Sequence, residues 1–288
     1  MLGTVSVYWA DSAGPVVMGI VNVTPDSFSD GGVLADPRRA AGHAVRLVEE
    51  GAAIVDVGGE SARPGAKSVG VDEELRRVIP ALEWIIPACP GIAISVDTTK
   101  ADVAERALRM GAAIVNDVSA LRADPRMAGV IADAGATVCL MHMQGVPETM
   151  QVAPRYDDVV SDVQAFLHDR IELAVEAGID EERICVDPGI GFGKTVEHNC
   201  QLLAGLERIA DLGRPVVVGA SRKSFLGRIL GDPTASRGPL PAALAVATMA
   251  YERGAAILRV HDVREHVQAL RAASSIAAAG QQVELDPL

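Results

Sequence analysis

The sequence repeats one local pattern eight times: a short run of apolar and β-branched residues, a polar turn, and a helical stretch rich in Ala, Glu and Arg. Alternating strands and helices build either a closed (β/α)8 barrel or an open doubly wound sheet. The count of eight, the length of 288 residues and the near-even spacing of the first five units favour the barrel. The eight predicted strands cover 16–23, 53–59, 93–98, 113–119, 137–142, 184–189, 215–221 and 257–262.

A single domain accounts for the whole pattern, because no low-complexity linker and no break in composition interrupts it. We place this domain at 15–280, with an N-terminal extension over 1–14 and a C-terminal tail over 281–288. Three of the predicted helices end at a glycine, the residue that most readily adopts the left-handed conformation of a helix C-terminus. They are Gly51, Gly111 and Gly178.

Composition excludes several classes of function. A net charge of −12 argues against general nucleic-acid binding, and an aromatic content of 3% argues against a stacking platform for single strands. No apolar run approaches ~18 residues, and the N-terminus lacks the basic and apolar segments of a signal peptide. The four cysteines have no metal-ligand spacing, so we expect reduced thiols in a cytosolic protein. They are Cys89, Cys139, Cys185 and Cys200.

Polar residues lie at or near the C-terminal ends of six different predicted strands. In a closed barrel those ends form one rim, where barrel enzymes carry their chemistry. Polar residues placed only for solubility would fall equally on both ends. The pattern therefore predicts an active site at this rim. The six residues are Asn22, Asp97, Asn116, His142, Asp187 and His261.

Three of these residues suit a planar ligand with a mixed edge of donors and acceptors. Asp97 and Asp187 can accept from ring N–H and amino groups, and Asn116 can both donate and accept, as an aminopyrimidinone ring requires. The alternative is that each caps the following helix, which explains one such residue more readily than three. Asp117 should point to the opposite face of its strand and serve structure.

An anion site is predicted on the eighth strand. Arg259 and His261 are two residues apart on a strand and so share a face, where a guanidinium and an imidazole suit a phosphate or pyrophosphate. The alternative is an exposed strand end with solvated cations. The eighth strand neighbours the first in a closed barrel, so Asn22 comes close to the pair. A neutral amide oxygen there is a candidate ligand for the metal that accompanies pyrophosphate.

Three loops add further candidates. GESARPGA (59–66) holds Arg63 between two turn formers, and GIGFGKT (189–195) is a turn that carries Phe192 over the mouth. A P-loop is excluded because Pro188 stands where its first glycine is required. In GASRKS (219–224) the adjacent cations Arg222 and Lys223 cannot point the same way, and we assign Lys223 to the ring site. The chain has no GxGxxG after its first strand, no GxSxG and no HExxH.

Seven blocks of the sequence resemble dihydropteroate synthase, in the order and spacing of that family. The resemblance runs from about Val17 to the helix after His261. It implies a TIM barrel, homodimeric and cytoplasmic, that joins 6-hydroxymethyl-7,8-dihydropterin pyrophosphate to p-aminobenzoate with Mg²⁺ and is inhibited by sulfonamides. The blocks are NVTPDSFSDGG, DVGGES and RPGA on either side of Ala62 (counted as one block), SVDT, NDVS, DPGIGFGKT, GASRKSFLG and RVHDV.

The resemblance also implies roles for individual residues. Pterin contacts would be Asp97, Asn116, Asp187 and Lys223. Pyrophosphate would be held by Arg259 and His261, and by Asn22, which would also bind Mg²⁺. The aminobenzoate pocket would include Phe28, Pro64, Phe192, Lys223 and Ser224. Asp26, Arg63 and Lys223 are the candidate catalytic residues, with Asp26 and Phe28 on a loop that closes over the site.

Two features depart from the family pattern. The family usually has Thr or Ser where this chain has Ala62, which removes a hydroxyl near the aminobenzoate. After the seventh strand the family often has a Gly-Thr pair that opens the next helix. This chain has SRGPLPAALA there, and Pro239 and Pro241 suit a helix start. Two alternative functions are a pterin-binding methyltransferase barrel and a catalytically silent relative. The segment AALAVATMA (242–250) is either barrel core or a dimer interface.

Overall fold

Eight parallel strands form where the sequence has its eight apolar runs, and they close into a barrel in chain order, with the last paired to the first. The computed structural model describes residues 14–24 and 36–284, with side chains as far as residue 279. The predicted (β/α)8 barrel is therefore confirmed. The strands are β1 (Val16–Asn22), β2 (Ile54–Gly58), β3 (Ala93–Asp97), β4 (Ile114–Asp117), β5 (Thr137–Met141), β6 (Ile184–Asp187), β7 (Val216–Val218) and β8 (Ala255–Val260).

Helices follow each strand and begin and end at the residues that favour helix termini. Asp36 caps the first helix by accepting from the Arg38 backbone N–H at 2.9 Å. The three predicted terminal glycines, Gly51, Gly111 and Gly178, all have positive φ. The helices are α1 (Pro37–Glu49), α2 (Val71–Ala88), α3 (Ala101–Met110), α4 (Met127–Ala134), α5 (Val159–Glu176), α6 (Val196–Ala204), α7 (Leu206–Ala210), α8 (Ser224–Ile229), α9 (Leu240–Glu252) and α10 (Val263–Glu284).

Alternation along the strands divides the core into two layers. Residues such as Val55, Ile94 and Val115 face outward and pack against the helices. The residues between them fill the barrel interior, so it is a packed core rather than a channel. The interior layer consists of Val16, Met18, Ile54, Ala93, Ile114, Cys139, Cys185, Val217 and Ile257.

The same alternation decides whether a polar side chain near a strand end points into the barrel or out of it. Asn116 follows Ile114 by two positions and shares its inward face, whereas Asp117 faces outward as predicted. Asp117 accepts from the backbone N–H of Ser119 and of Leu121, both at 2.8 Å. Because Ala120 and Leu121 are left-handed, with φ of 52° and 62°, these bonds hold a turn whose backbone is otherwise unfavourable. Asp117 thus has the structural role that the sequence predicts.

Other sequence predictions can be compared with this framework. All four cysteines are described and none is in a disulfide. Pro239 caps α9 and Pro241 lies in its first turn, as predicted. None of the described helices is long and apolar enough to cross a membrane. The predicted extension over 1–14 lies outside the described residues apart from Gly14, and the predicted tail at 281–288 begins within α10.

Candidate active site

The centre of the barrel mouth is a buried group of two carboxylates and one guanidinium. Arg259 donates from Nε to Asp56 Oδ2 at 2.7 Å and from Nη2 to Asp97 Oδ2 at 2.6 Å. The three residues come from β8, β2 and β3, and they meet because each faces inward at the carboxyl end of its strand. Asp56 is fully buried, and its Oδ1 has no hydrogen-bond partner among the described residues. One guanidinium therefore compensates two carboxylates away from bulk water.

The shared cation affects the pKa values of both Asp97 and Arg259. Burial raises the pKa of Asp97 to about 7; the positive charge of Arg259 opposes the rise, and the negative charge of Asp56 adds to it. The pKa of Arg259 stays above its ordinary value because the two carboxylates outweigh the effect of its burial. Arg259 is thus always a cation, while Asp97 can change protonation near neutral pH.

Asn116 and Asp187 complete the inward-facing polar set. Asn116 Nδ2 donates to Asp56 Oδ2 at 3.3 Å, which leaves its amide oxygen without a described partner. Asp187 Oδ1 accepts from the Gly189 backbone N–H at 2.7 Å. Burial raises the pKa of Asp187, and the nearby charge of Lys223 works against that rise. Together with Asp97 these groups offer the donors and acceptors that a flat heterocycle needs along one edge.

The two adjacent cations after β7 diverge. Arg222 has a φ of 62° and pairs with Asp262, with Nη2 2.6 Å from Oδ1. Lys223 instead donates to the Ile190 carbonyl, and its Nζ lies 4.3 Å from the centre of the Phe192 ring. Burial lowers the pKa of Lys223 to about 8, and Asp187 opposes that fall. Lys223 therefore faces the mouth as a cation at neutral pH, and Arg222 holds the loop to the end of β8.

His261 lies beside this loop, on the side of the mouth where an anion is predicted. Ser221 Oγ accepts from the His261 backbone N–H at 3.2 Å and lies 3.2 Å from the ring Nδ1. Its own O–H can donate to Nδ1, which leaves the ring proton on Nε2 as a donor. Burial and the positive charges of Arg222, Arg259 and Arg63 hold the pKa of His261 well below its usual range. The ring is therefore neutral, in a region of strong positive potential.

Asn22 ends β1 next to this positive region. Its side chain makes no hydrogen bond to any described residue, so its oxygen can take another ligand. A Cβ at Gly58 would be in ordinary contact with Asp97 Oδ2 at 3.6 Å and Asn22 Oδ1 at 3.7 Å, so both oxygens lie beside this residue. Asp97 Oδ2 already accepts from Arg259, whereas the Asn22 oxygen has no described partner. A hard, neutral oxygen donor of this kind suits Mg²⁺. The Asn22 side chain therefore fits the predicted metal.

The predicted acceptor residues lie on loops rather than strands. Arg63 and Pro64 are exposed near the tip of the loop that follows β2. Phe192 is half-buried and packs against Met141, Met143, Met150 and Val118. Ser224 is half-buried and opens α8 directly after Lys223. These side chains sit around the mouth above the strand residues. The predicted residues Asp26 and Phe28 lie outside the described residues.

One residue of the predicted rim does not join the others. His142 follows Met141, which packs at the mouth, and so alternation turns its ring outward to Phe166, with ring centres 4.8 Å apart. The His142 Nδ1 lies 2.9 Å from Lys194 Nζ, and burial lowers the pKa of His142 to about 2. Lys194 also donates to the carbonyls of Gly189 and Phe192, at 2.9 and 3.0 Å. This pair braces the turn that carries Phe192.

Sequence reasoning missed two groups at the site. The sequence motifs do not identify Asp56, although a lone carboxylate within the apolar run AIVDVGG is a signal for a buried polar role. Lys100, just after β3, pairs with Glu60 of the β2 loop and with Glu74 of α2, which is fully buried. Nothing local in the sequence links these three residues, which are brought together only by the barrel. Their pairing ties the β2 loop to the rim.

The chain was compared with known proteins. The family of pterin binding enzymes matches residues 18–261. Dihydropteroate synthase of Escherichia coli strain K12 is 48% identical over 261 residues, which cover 91% of this chain and 91% of that enzyme.

Solved structures give the same result. The Xanthomonas albilineans dihydropteroate synthase with 4-aminobenzoic acid superimposes with a TM-score of 0.83 at 47% identity, covering 92% of this chain and 94% of that one. The enzyme from the same organism in complex with 7,8-dihydropteroate has a TM-score of 0.79 at 44% identity, again covering 92% and 94% of the two chains. The similarity therefore extends over both the sequence and the fold of nearly the whole chain.

Proposed function

This chain belongs to the dihydropteroate synthase family of pterin-binding enzymes, and we propose that it joins 6-hydroxymethyl-7,8-dihydropterin pyrophosphate to p-aminobenzoate. The products are 7,8-dihydropteroate and pyrophosphate, so the protein is a transferase. One observation carries the proposal: Asp97, which suits the pterin ring, lies 2.6 Å from the guanidinium of Arg259, which suits an anion. A ring site and an anion site that share a hydrogen bond fit a substrate in which pterin and pyrophosphate are one molecule.

Pterin recognition is assigned to the strand-borne groups. Asp97 and Asp187 accept from the ring N–H and amino groups, and the free amide oxygen of Asn116 accepts another N–H. Lys223 donates to an acceptor on the ring. These groups are held by strands and by short loops, so the ring binds in one orientation, with its substituted methylene toward Arg259 and His261.

Bond cleavage leads the reaction because an arylamine is a weak nucleophile. The C–O bond between the pterin methylene and pyrophosphate breaks, and its electron pair leaves with pyrophosphate. Arg259, Arg63 and the Nε2–H of His261 stabilise the negative charge that grows there. The electron-rich ring, held by Asp97 and Asp187, stabilises the positive methylene. The amine nitrogen then forms the C–N bond and loses one proton.

Mg²⁺ is proposed as the cofactor. Asn22 would hold the ion through its amide oxygen, and the ion when bound would add positive charge beside the departing pyrophosphate. The Asn22 amide oxygen, which has no described partner and lies beside Gly58, supports this placement.

Loops are assigned to the acceptor and to the exclusion of water, which would consume the positive methylene. Pro64, Phe192 and Ser224 form the aminobenzoate pocket with Lys223, where sulfonamides would compete. Phe28 and Asp26 are proposed to close over it, with Asp26 ordering that loop and complementing the positive methylene.

A cytoplasmic homodimer completes the proposal. In α9, Ala243, Ala247 and Ala250 are buried in the barrel wall, whereas Met249 is 46% exposed. The segment 242–250 therefore supplies core on one face and an exposed apolar side chain on the other. Ile229 and Leu230 near the end of α8 are also exposed. Large exposed apolar side chains on neighbouring helices support an interface there.

The test is an assay with dihydropterin pyrophosphate, p-aminobenzoate and Mg²⁺ that follows pyrophosphate release and dihydropteroate mass together. We expect both products from the wild type and neither from Asp97→Asn, which keeps the shape of the side chain and removes its charge. Asp102→Asn is the matched control, because Asp102 is an exposed carboxylate in α3. Asp97→Ala tests the complete loss of the same group.

Each other outcome selects a different function. Pyrophosphate without dihydropteroate would overturn the assigned acceptor while keeping the pterin half. Neither product from a wild type that still binds pterin would select the silent relative, or the methyl-transfer barrel if a reduced methylfolate were consumed.

A further inference from the structure

Three loops at the barrel mouth are bonded to one another. We define the β2 loop as 59–70, the β5 loop as 142–158 and the β6 loop as 188–195. The β2 and β6 loops carry Pro64 and Phe192, which the proposed function places on the aminobenzoate pocket. The β5 loop begins with His142, which braces the β6 loop through Lys194, and its stretch 147–151 contacts both of the other loops.

The β5 loop meets its two neighbours at residues only four apart. The Gly65 backbone N–H donates to the Pro147 carbonyl at 2.9 Å, next to Pro64. Gln151 Nε2 donates to the Gly191 carbonyl at 2.8 Å, next to Phe192. The segment 147–151 therefore links the two walls of the acceptor pocket directly. This link lies on the rim, above the strand-borne groups that hold the pterin.

Gly191, whose carbonyl accepts from Gln151, also packs against Lys223. It has a φ of 84°, and a Cβ there would lie 2.8 Å from Lys223 Cδ, so the lysine packs directly against the turn. The preceding carbonyl, of Ile190, accepts from Lys223 Nζ. The Gly191 N–H donates to Asn199 Oδ1 at 2.6 Å. Gln151 thus bonds the other backbone polar group of Gly191, its carbonyl.

We propose that Gln151 is a positioning residue for the aminobenzoate step, acting through the Gly191 carbonyl on the adjoining residue Phe192. The inference rests on the proposed function. The peptide between Gly191 and Phe192 is held at both ends, because its N–H donates to the Gly189 carbonyl at 3.0 Å and its carbonyl accepts from Gln151. Without the Gln151 donor only the first bond remains, and the peptide can tilt, since glycine imposes little conformational restriction. Tilting would move Phe192, whereas the preceding peptide, which binds Lys223 through the Ile190 carbonyl, stays held by Asn199. The strand-borne pterin groups do not depend on this peptide.

The side chain of Gln151 is suited to a clean test because it is exposed and lies in a loop. Gln151→Glu keeps its size and replaces the donor with an acceptor that repels the Gly191 carbonyl. Gln164→Glu is the matched control, because half-buried Gln164 also donates to a backbone carbonyl, that of Arg208 at 2.6 Å, between α5 and α7 and outside the mouth. Gln151→Arg keeps an N–H donor and is the rescue variant.

We expect Gln151→Glu to raise the KM for p-aminobenzoate by roughly threefold to tenfold, the effect of losing one hydrogen bond. The KM for dihydropterin pyrophosphate, its binding by calorimetry and the melting temperature should match the wild type. Gln164→Glu should leave all four quantities unchanged, and Gln151→Arg should restore most of the loss.

An unchanged KM for p-aminobenzoate in Gln151→Glu would overturn the inference. So would equal increases in both KM values together with a lower melting temperature, which indicate a general structural role. A wild type that binds pterin without turnover would instead overturn the proposed function, so the two failures are distinguishable.

Discussion

The pterin end and the acceptor end of the site are built on different principles. At the pterin end, Asp56, Asp97 and Arg259 project from strands and bond to one another through buried charged side chains. At the acceptor end, the proposed contacts lie on loops, and the loops are joined mainly through backbone carbonyls and N–H groups. Strands therefore position the buried charges of the pterin end, whereas hydrogen-bonded loops determine the shape of the acceptor pocket.

This difference matches what each substrate demands. A pterin ring has a fixed edge of donors and acceptors, so misplaced charges would cost affinity, and strands keep the charges in place. The acceptor must enter the site, and the proposed positive methylene must then be kept from water, which requires segments that can move. We therefore expect changes at the pterin end to affect both stability and binding, and changes at the acceptor end to affect binding alone.

The largest expected effect is at the pterin end. Arg259→Met removes the one cation shared by Asp56, which is fully buried, and Asp97. Removing one partner of a buried ion pair leaves uncompensated charge, so we expect the free energy of unfolding to fall by about 3–5 kcal/mol. Synthase activity should also be lost. Urea unfolding at neutral pH measures the first effect and product formation the second.

Arg126→Met is the matched control for stability. Arg126 also pairs with carboxylates, but its side chain is 59% exposed and that of its partner Asp102 is 42% exposed. Loss of such a surface pair should cost less than about 1 kcal/mol. Equal losses in the two variants would show that the pterin end is not a framework of buried charge.

A second prediction concerns pH and has an effect of intermediate size. Burial raises the pKa of Asp97 to about 7 and also raises that of Asp187, whereas burial lowers the pKa of Lys223 to about 8. The proposed pterin contacts need both carboxylates ionised and the lysine protonated. Affinity should therefore be highest between pH 7 and 8, and should fall about tenfold per pH unit for each required group on either side.

The free energy of unfolding should depend on pH in the opposite sense to pterin affinity. Between its ordinary value of 3.8 and about 7, Asp97 holds its proton more tightly in the folded chain, so its contribution to stability falls as pH rises. Between about 8 and its ordinary 10.5, Lys223 loses its proton more readily in the folded chain, so its contribution rises with pH. Binding is best where these two groups stabilise the fold least.

Calorimetry of pterin binding and urea unfolding over the same pH series test both statements. In Asp97→Asn the acid side of the unfolding profile should become flatter, because the titrating carboxyl is gone. Affinity that stays constant from pH 6 to pH 9 would contradict the assignment of these groups to the ring.

The contrast between the two ends also explains what the sequence could reveal. The strands, their order and the inward direction of Asn116 follow from period-2 patterning, which is local. Lys223 was separable from Arg222 because adjacent residues diverge. The pairing of Arg259 with Asp56 was not predictable, because it joins residues 203 apart through barrel closure. The bond from Gln151 to Gly191 was not predictable either, since loop conformation has no comparable period.

The smallest expected effect is at the acceptor end, where the chain departs from its family. Ala62 is half-buried in the β2 loop, at a position where the family usually has Thr or Ser. Ala62→Thr restores a hydroxyl beside the proposed aminobenzoate pocket. One new hydrogen bond should lower the KM for p-aminobenzoate by roughly twofold to fivefold. The affinity for dihydropterin pyrophosphate and the free energy of unfolding should not change.

Ala66→Thr is the control for that substitution, because Ala66 is half-buried in the same loop. Steady-state kinetics with each substrate varied in turn would separate the two ends. A lower KM for p-aminobenzoate in Ala62→Thr but not in Ala66→Thr would place Ala62 against the acceptor. An equal change in both variants would mean that the loop responds as a whole, and a change in pterin affinity would mean that the two ends are coupled rather than independent.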